Sequence, residues 1–396
     1  MVILESTAAW YRGARPENVR LFGGPMAGRY PSLDALRGGL MSLGVVLHVA
    51  QSYGEHGDPE WPFHDPGGNV AFDLLSYVIH LFRMPTFFAI AGFFAAMVAS
   101  RRGAPAYRAD RLRRILGPLL VFAPLELAAE ATITSWLRGG TVAEAVAGRF
   151  DGPVTSWDPW SHLWFLWVLL LVSVGWSALP STLTARLGDA AVRPRWLVVG
   201  LVVQAFALAT SPSVVLPSGC GFVPPLLPTL VFAGWFLVGT GAWERRDDAL
   251  RRLARWAPAT SALAVAAFVG AIAGQAAREA LTDGVVGAGV VAGLATISSV
   301  ATAAFAAAAV GWAHRASIPE RTGEYVARSS YWVYLSHHAP AMVVPAVVAA
   351  LPVPSPVRAV LAMAIVAAFS LATWQIVRRT PVGSWLGGAA PTAARP

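Results

Sequence analysis

Arg37 and His48 stand eleven residues apart in one apolar run, Arg37-Gly-Gly-Leu-Met-Ser-Leu-Gly-Val-Val-Leu-His48. At about 100° per residue, eleven steps return a helix to within roughly 20° of its start, so the guanidinium and the imidazole share a face, roughly 16 Å apart along the axis. Ionisable groups inside an apolar helix are costly and mark functional sites. A fixed cation near the membrane edge, with a titratable base deeper inside, suits a long anionic ligand whose reactive end reaches inward. Arg37 is thus a candidate anchor and His48 a candidate general base. Asp34, one turn before Arg37, is placed to cap the helix start, with an i,i+3 pair to Arg37 as the alternative.

Four further groups carry chemistry. Arg83 lies in Phe82-Arg-Met-Pro-Thr-Phe-Phe88, in the middle of an apolar stretch where Pro85 removes a backbone donor. A mid-membrane arginine requires a partner. Glu126 and Glu130, four residues apart on one helix face, offer one. Arg111-Leu-Arg-Arg114, with Arg101, Arg102 and Arg108 nearby, makes a basic cluster. Such a cluster either holds phosphates bidentately or serves as a topology and lipid-contact signal. His162-Leu-Trp164-Phe-Leu-Trp167 and Tyr331-Trp-Val-Tyr334-Leu-Ser-His337-His338 supply histidine, tyrosine and tryptophan as pocket walls or interfacial anchors. Adjacent histidines point roughly 100° apart on a helix, and with no carboxylate set beside them in the sequence no metal is expected. Walker A, HExxH and GxSxG patterns are absent.

These residues must be positioned by membrane helices. The chain is 56% hydrophobic and only 13% charged, with mean hydropathy +0.54, whereas soluble domains carry about 25% charge. Ten apolar stretches are readable, at about 35–53, 72–99, 115–136, 162–180, 196–212, 224–243, 256–274, 287–312, 330–351 and 358–377. Most approach the roughly 20 residues needed to span the hydrocarbon core, and without period-2 alternation they are helices rather than barrel strands. The fold class is therefore all-α, a polytopic bundle of about ten transmembrane helices. Residues 1–34 form an N-terminal segment with no apolar signal-peptide core, 35–379 the transmembrane domain, and 380–396 a tail expected to be disordered.

All 30 basic residues are arginine, and they alternate by loop. Rich segments hold Arg12, Arg15, Arg20 and Arg29; Arg101 to Arg114; Arg186, Arg193 and Arg195; Arg245 to Arg255; Arg315, Arg321 and Arg328; and Arg378, Arg379 and Arg395. The intervening loops hold little beyond Arg138, Arg149, Arg278 and Arg358. The positive-inside rule puts both termini in the cytoplasm. The net charge of +8 is thereby read as a topology signal, with no nucleic-acid partner. Lone Cys220 excludes an intrachain disulfide and a cysteine cluster. The opposite loops carry His56, Asp58, Glu60, Trp61, His64 and Asp65, then Asp151, Trp157, Asp158 and Trp160, a mixture that suits a sugar-like acceptor as well as an interfacial aromatic belt.

Taken in order, Leu33-Asp-Ala-Leu-Arg37-Gly with Arg37-x10-His48, Phe82-Arg83-Met-Pro-Thr-Phe-Phe with Ala91-Gly-Phe-Phe94, Arg111-Leu-Arg-Arg114, His162-Leu-Trp-Phe-Leu166 and Tyr331-Trp-Val-Tyr-Leu-Ser-His337 resemble the acyltransferase 3 family of membrane acyltransferases, in particular its glucan biosynthesis protein C branch. The resemblance runs over nearly the whole chain. It implies a ten-helix domain that takes acyl groups from cytoplasmic acyl-CoA, such as acetyl-CoA or succinyl-CoA, and passes them to a hydroxyl of a glycan or related acceptor (an EC 2.3.1 type activity) in a bacterial inner membrane. It maps the family's essential arginine and histidine to Arg37 and His48, its polar position in the second span to Arg83, and its cytoplasmic arginine pair to Arg111 and Arg114. Many relatives carry Ser-Gly-Phe where this chain has Ala91-Gly92-Phe93, so that hydroxyl is not available. The catalytic set expected is His48, Arg37 and Arg83, the acyl-CoA set Arg37, Arg111 and Arg114. Asp34, Glu126, Glu130, His162, Trp164, Tyr334 and His337 are candidate pocket residues, and membrane lipids surround the whole. The rival reading is a multi-span transporter or flippase without acyl-transfer chemistry.

Topology reporters test the arginine asymmetry. Fusions after residue 150 should report the outside and fusions after residues 106 or 248 the inside; an inside signal at 150 overturns the ten-span reading.

Overall fold

The computed structural model describes residues 30–154, 157–211, 221–280 and 287–386, which fold into helices with no strand among them. In lipid every backbone donor and acceptor must be satisfied internally, and helices do this within one segment. The helices are α1 Pro31–Ala50, α2 Val70–Arg102, α3 Ala104–Arg138 with a π-helical turn at Leu112–Leu116, the short α4 Val142–Gly148, and α5 Ser161–Ala178, whose first turn is 3₁₀. Then follow α6 Ser181–Ala191, α7 Pro194–Ala209, α8 Leu226–Glu244, α9 Arg246–Ala280, α10 Ala288–Arg315, α11 Glu320–Ser336, α12 His338–Val348, α13 Ser355–Val377 and α14 Pro381–Trp385. This is a polytopic helical membrane protein.

Eight of these helices are long and apolar enough to cross a bilayer: α1, α2, α3, α5, α8, α9, α10 and α13. Two of the ten expected spans depart from a single straight helix. The stretch 196–212 belongs to a pair, α6 and α7, bent by 83°. Arg193 precedes Pro194 and sits in an extended conformation with ψ 139°, in keeping with the bias of the residue before proline away from the helical region. The stretch 330–351 breaks at His337 into α11 and α12. Pro340 has no N–H for the carbonyl of Ser336, four residues back, so the helix yields there. Both breaks fall beside prolines, although helices continue through Pro85, Pro124 and Pro258, so a proline permits a break that the surrounding packing then sets.

α1 is the central element, packed by α2, α10, α11, α12 and α13. At its far end the loop 51–69 is pinned down. Trp61 Nε1 donates to Ser52 Oγ at 2.7 Å, Arg138 donates to the carbonyls of Pro59 and Trp61, and Arg358 pairs with buried Asp65 at 2.9 Å. Trp61, Asp65 and Trp160 are therefore buried structural residues, while His56, Asp58, Glu60 and His64 stay exposed. The tail reading needs correction at its start. Pro381–Trp385 is helical, and Trp385 packs against Gly117; residues 387–396, like the N-terminal arginines up to Arg29 and Cys220, lie outside the described residues.

α2 and α8 cross without side chains between them. A Cβ at Gly92 would collide with the carbonyl of Phe236, and one at Gly239 with the carbonyl of Ala89. Small residues at such crossings let helix backbones touch, which is the main source of packing energy in a lipid environment. Gly234, on the same helix α8, faces open space. Gly92→Ala and Gly239→Ala should each lower stability by about 1–3 kcal/mol, read as a lower midpoint in a detergent thermal-unfolding assay, and Gly234→Ala should not.

Candidate active site

One face of α1 organises the site. Arg37, Met41, Gly44 and His48 follow at i, i+4, i+7 and i+11, the spacing that stacks side chains along a single helical stripe. At the Arg37 end lies a cavity of about 370 Å³ lined by Asp34, Arg37, Met41, Arg101, Arg111, Arg114, Arg328 and Tyr331 among others. At the other end, His48 lies in the last turn of α1. The sequence places it deep within a longer span; in the fold it stands at the loop side, under Trp61, whose ring stacks on it at 5.8 Å.

The cationic end is built from α1, α2, α3 and α11. Arg37 Nη2 pairs with Asp34 Oδ1 at 3.1 Å and its guanidinium lies 5.2 Å from the Phe94 ring centroid. Asp34 makes this ion pair rather than the expected cap, because α1 starts earlier, at Pro31, with Tyr30 as N-cap and no side-chain capping bond. On α3, beside and within the π-helical turn, Arg111 and Arg114 meet the same carboxylate. Arg111 pairs with Asp110, Arg114 Nε lies 2.7 Å from Asp110 Oδ1, and Arg111 also covers the Tyr107 ring at 5.3 Å. Pro118 has no N–H for the Arg114 carbonyl, and the Tyr331 hydroxyl donates to it instead at 2.9 Å. Single π turns recur at functional sites because they re-aim side chains without breaking the helix.

Midway, Gly44 leaves room for two groups from different helices. A Cβ there would lie 3.0 Å from His337 Nε2 and 3.1 Å from an Arg83 guanidinium nitrogen. His337 is fully buried, and its Nδ1 lies 2.9 Å from the carbonyls of both Val333 and Tyr334. Carbonyls only accept, so Nδ1 carries the proton and Nε2 presents a lone pair. Neither His337 Nε2 nor Arg83 Nε has a hydrogen-bond partner among the described residues. Arg83 therefore does not pair with Glu126 or Glu130 as the sequence suggests, and it projects from α2, which runs unbroken through Pro85, toward the α1 stripe.

The far end gathers four of the chain's eight histidines. The His48 ring lies 4.7 Å from His338, 5.3 Å from His337 and 6.2 Å from His162, centroid to centroid. His162 and His338 stack at 4.2 Å. His48 Nδ1 stands 3.3 Å from Gln51 Oε1; with that nitrogen donating, Nε2 is the one able to take a proton. Glu130 on α3 sits behind the histidines, 1% exposed. It receives Arg149 at 2.7 Å and the Ser161 hydroxyl, and His338 Nδ1 lies 2.8 Å from it without hydrogen-bond geometry. Arg149 also binds Asp158 at 2.6 Å, and burial pushes the Asp158 carboxyl above its ordinary range against the pull of that arginine. Glu126 lies one turn away on the same face of α3. The carboxylates missing around His337 and His338 in the sequence are thus supplied by α3, so spacing alone is no argument against metal binding here.

Of the other predicted pocket residues, Tyr334 closes the cluster. Its hydroxyl donates to the His162 carbonyl at 2.6 Å, and His162 Nε2 reaches the Tyr334 carbonyl at 3.2 Å. Trp164 packs against Phe232 in the helix core. Sequence reasoning missed Arg149, Ser161 and Arg328 as members of the two ends, and it left Trp61, Tyr331 and His338 with an interfacial alternative. Arg149 carried a signal, as a rare arginine in an arginine-poor loop. The others become neighbours only through packing.

A model of an acyltransferase domain matches residues 30–375. Proteins named glucans biosynthesis protein C from Shigella dysenteriae serotype 1 and from Escherichia coli K12 are 30% identical to this chain over 142 residues, 36% of the chain and 36% of each relative. The chain thus spans about a third of the length of the curated relatives it matches. No solved structure matches it. With the family match running from the start of α1 almost to the end of α13 and the motifs meeting on one helix face, the chain belongs to the acyltransferase 3 family of membrane acyltransferases.

Proposed function

We propose that this protein is an O-acyltransferase that takes an acyl group, such as acetyl or succinyl, from cytoplasmic acyl-CoA and passes it to a hydroxyl of a glycan or related acceptor. The observation that carries the reading is the α1 stripe. It carries Arg37, which lines an arginine-rich cavity, at one end and His48, in a histidine cluster, at the other, with Arg83 and His337 packed against Gly44 between them. The roughly 16 Å between the two ends is comparable to the reach of a pantetheine arm. Arg37, Arg111 and Arg114 hold the phosphates of the coenzyme, displacing part of their pairing with Asp34 and Asp110. His48 Nε2 takes the proton of the acceptor hydroxyl as that oxygen attacks the thioester carbonyl. The coenzyme A thiolate leaves, and Arg83, poised beside Gly44, steadies the oxyanion.

The names of the relatives support a glucan-like acceptor. The arginine-rich loops support cytoplasmic termini and an inner-membrane location. With the cavity on the arginine-rich side, the histidine cluster faces the opposite loops, so donor and acceptor enter from different ends of α1. The family match favours this chemistry over a transporter or flippase.

Two measurements test the assignment. Arg111→Ala with Arg114→Ala should raise KM for acyl-CoA while kcat changes less, because a phosphate contact made equally in ground and transition states acts on binding. Normal KM with impaired membrane insertion would leave the cluster a topology signal. His48→Ala should insert, still bind coenzyme A, and lose about 10²–10⁴-fold in turnover. His48→Gln, which keeps size and polarity but takes no proton, should be as inactive; near-wild-type turnover by His48→Gln sinks the general-base role.

A further inference from the structure

We propose that Glu126, Glu130, His162 and His338 form a binding site for a divalent transition-metal ion of the zinc class. Three separate elements deliver these side chains: α3 gives two carboxylates at i and i+4, the first turn of α5 gives His162, and the first residue of α12 gives His338. One ligand atom from each lies within 4.8 Å of every other. All four residues are buried, at 8%, 1%, 8% and 6% exposure respectively. Two imidazoles and two carboxylates are the donor set that zinc accepts in four-coordinate sites. Bonds of about 2.0–2.2 Å set tetrahedral ligand separations near about 3.4 Å, so only modest side-chain rotation closes the shell.

The polar atoms facing the centre call for a cation. His162 Nε2 meets the backbone carbonyl of Tyr334 at 3.2 Å, and a carbonyl only accepts, so Nε2 carries the proton. In the neutral ring, His162 Nδ1 is then a lone pair. It faces Glu130 Oε1 at 3.9 Å and has no hydrogen-bond partner. Glu126 Oε2 is also without a partner. Lone pairs and carboxylate oxygens sealed together away from water cost several kcal/mol unless a positive charge meets them, and the Arg149 guanidinium engages Glu130 but leaves Glu126 Oε2 and His162 Nδ1 unmatched. The surroundings also have the form of a metal site's outer shell. A ligating histidine characteristically donates its other N–H to a backbone carbonyl, as His162 does, and a ligating carboxylate is itself held, as Arg149 and Ser161 hold Glu130. The site is defined by these residues alone and does not depend on the acyl-transfer reading, although the His338 ring lies 4.7 Å from that of His48.

The test uses the full chain in detergent, stripped with chelator and titrated with Co²⁺ as a visible-absorption reporter, followed by Zn²⁺ in competition. One Co²⁺ should bind per chain, with the absorption of a low-coordinate site, and Zn²⁺ should displace it. Arg149→Gln should weaken binding about 10–100-fold as an outer-shell change. Glu126→Gln and His162→Asn should each weaken it further, and His64→Asn, an exposed histidine elsewhere, should leave it unchanged. Gel filtration of each variant confirms folding, and Glu126→Asp, which keeps the carboxylate, should bind better than Glu126→Gln. A wild-type chain that takes up no stoichiometric Co²⁺ or Zn²⁺ overturns the proposal and leaves a proton as the neutralising charge. Binding that is indifferent to Glu126→Gln and His162→Asn in folded protein overturns it equally. Neither result touches the acyl-CoA reading, which is measured separately by turnover.

Discussion

A carboxylate sealed inside an apolar bundle has to be met by donors from other segments, and Glu130 is where that requirement shapes this protein. At 1% exposure it is held by Arg149 and by the Ser161 hydroxyl, with His338 Nδ1 2.8 Å away, so one side chain brings α3 together with the loop before α5, α5 itself and α12. Removing one partner of such a buried set costs about 3–5 kcal/mol, because the charge stays behind unpaired. The backbone bends to serve it. Ser161 has φ 48°, a left-handed conformation unusual for a residue with a side chain. That strain, about 1–3 kcal/mol, is offset where the Ser161 hydroxyl reaches Glu130 and its N–H donates to Asp158 at 3.0 Å.

The consequence for chemistry is that three of the histidines are oriented by groups outside the cluster. His162 is held through Tyr334, His337 through the carbonyls of its own helix, and His48 through Gln51 and the overlying Trp61, while the His338 ring stacks on His162 at 4.2 Å. The stripe of α1 works by the opposite device, an omission. Gly44 contributes no atoms, and that lets Arg83 from α2 and His337 from the α11–α12 break approach the helix. The break is part of this arrangement, since it puts His338 at the start of a separate helix, α12.

The arginine cavity and the histidine cluster differ in how their charges are balanced. Asp34 and Asp110 already engage Arg37, Arg111 and Arg114, so a ligand there exchanges one set of anionic contacts for another and desolvates little. The opposite end has no such ready exchange: Glu126 and His162 hold unmatched atoms in a site closed to water. That contrast supports the proposed phosphate recognition at one end and the proposed proton or cation chemistry at the other.

The all-helical membrane fold, most of the spans, and the placing of Arg37 and His48 on one face are legible in the sequence, because hydropathy and the 3.6-residue period act locally along the chain. The family motifs are legible for the same reason. Which residues meet across helices is not. Nothing in the order of residues says that Glu130 chooses Arg149 and His338 over Arg83, that Asp34 pairs rather than caps, or that four histidines from three parts of the chain converge. Those outcomes depend on helix rotation and crossing distance, set by glycines such as Gly92 and Gly239 and by breaks at Pro194 and Pro340. A buried ionisable group takes whichever partner the packing brings within about 3 Å, and only the tertiary structure decides that distance.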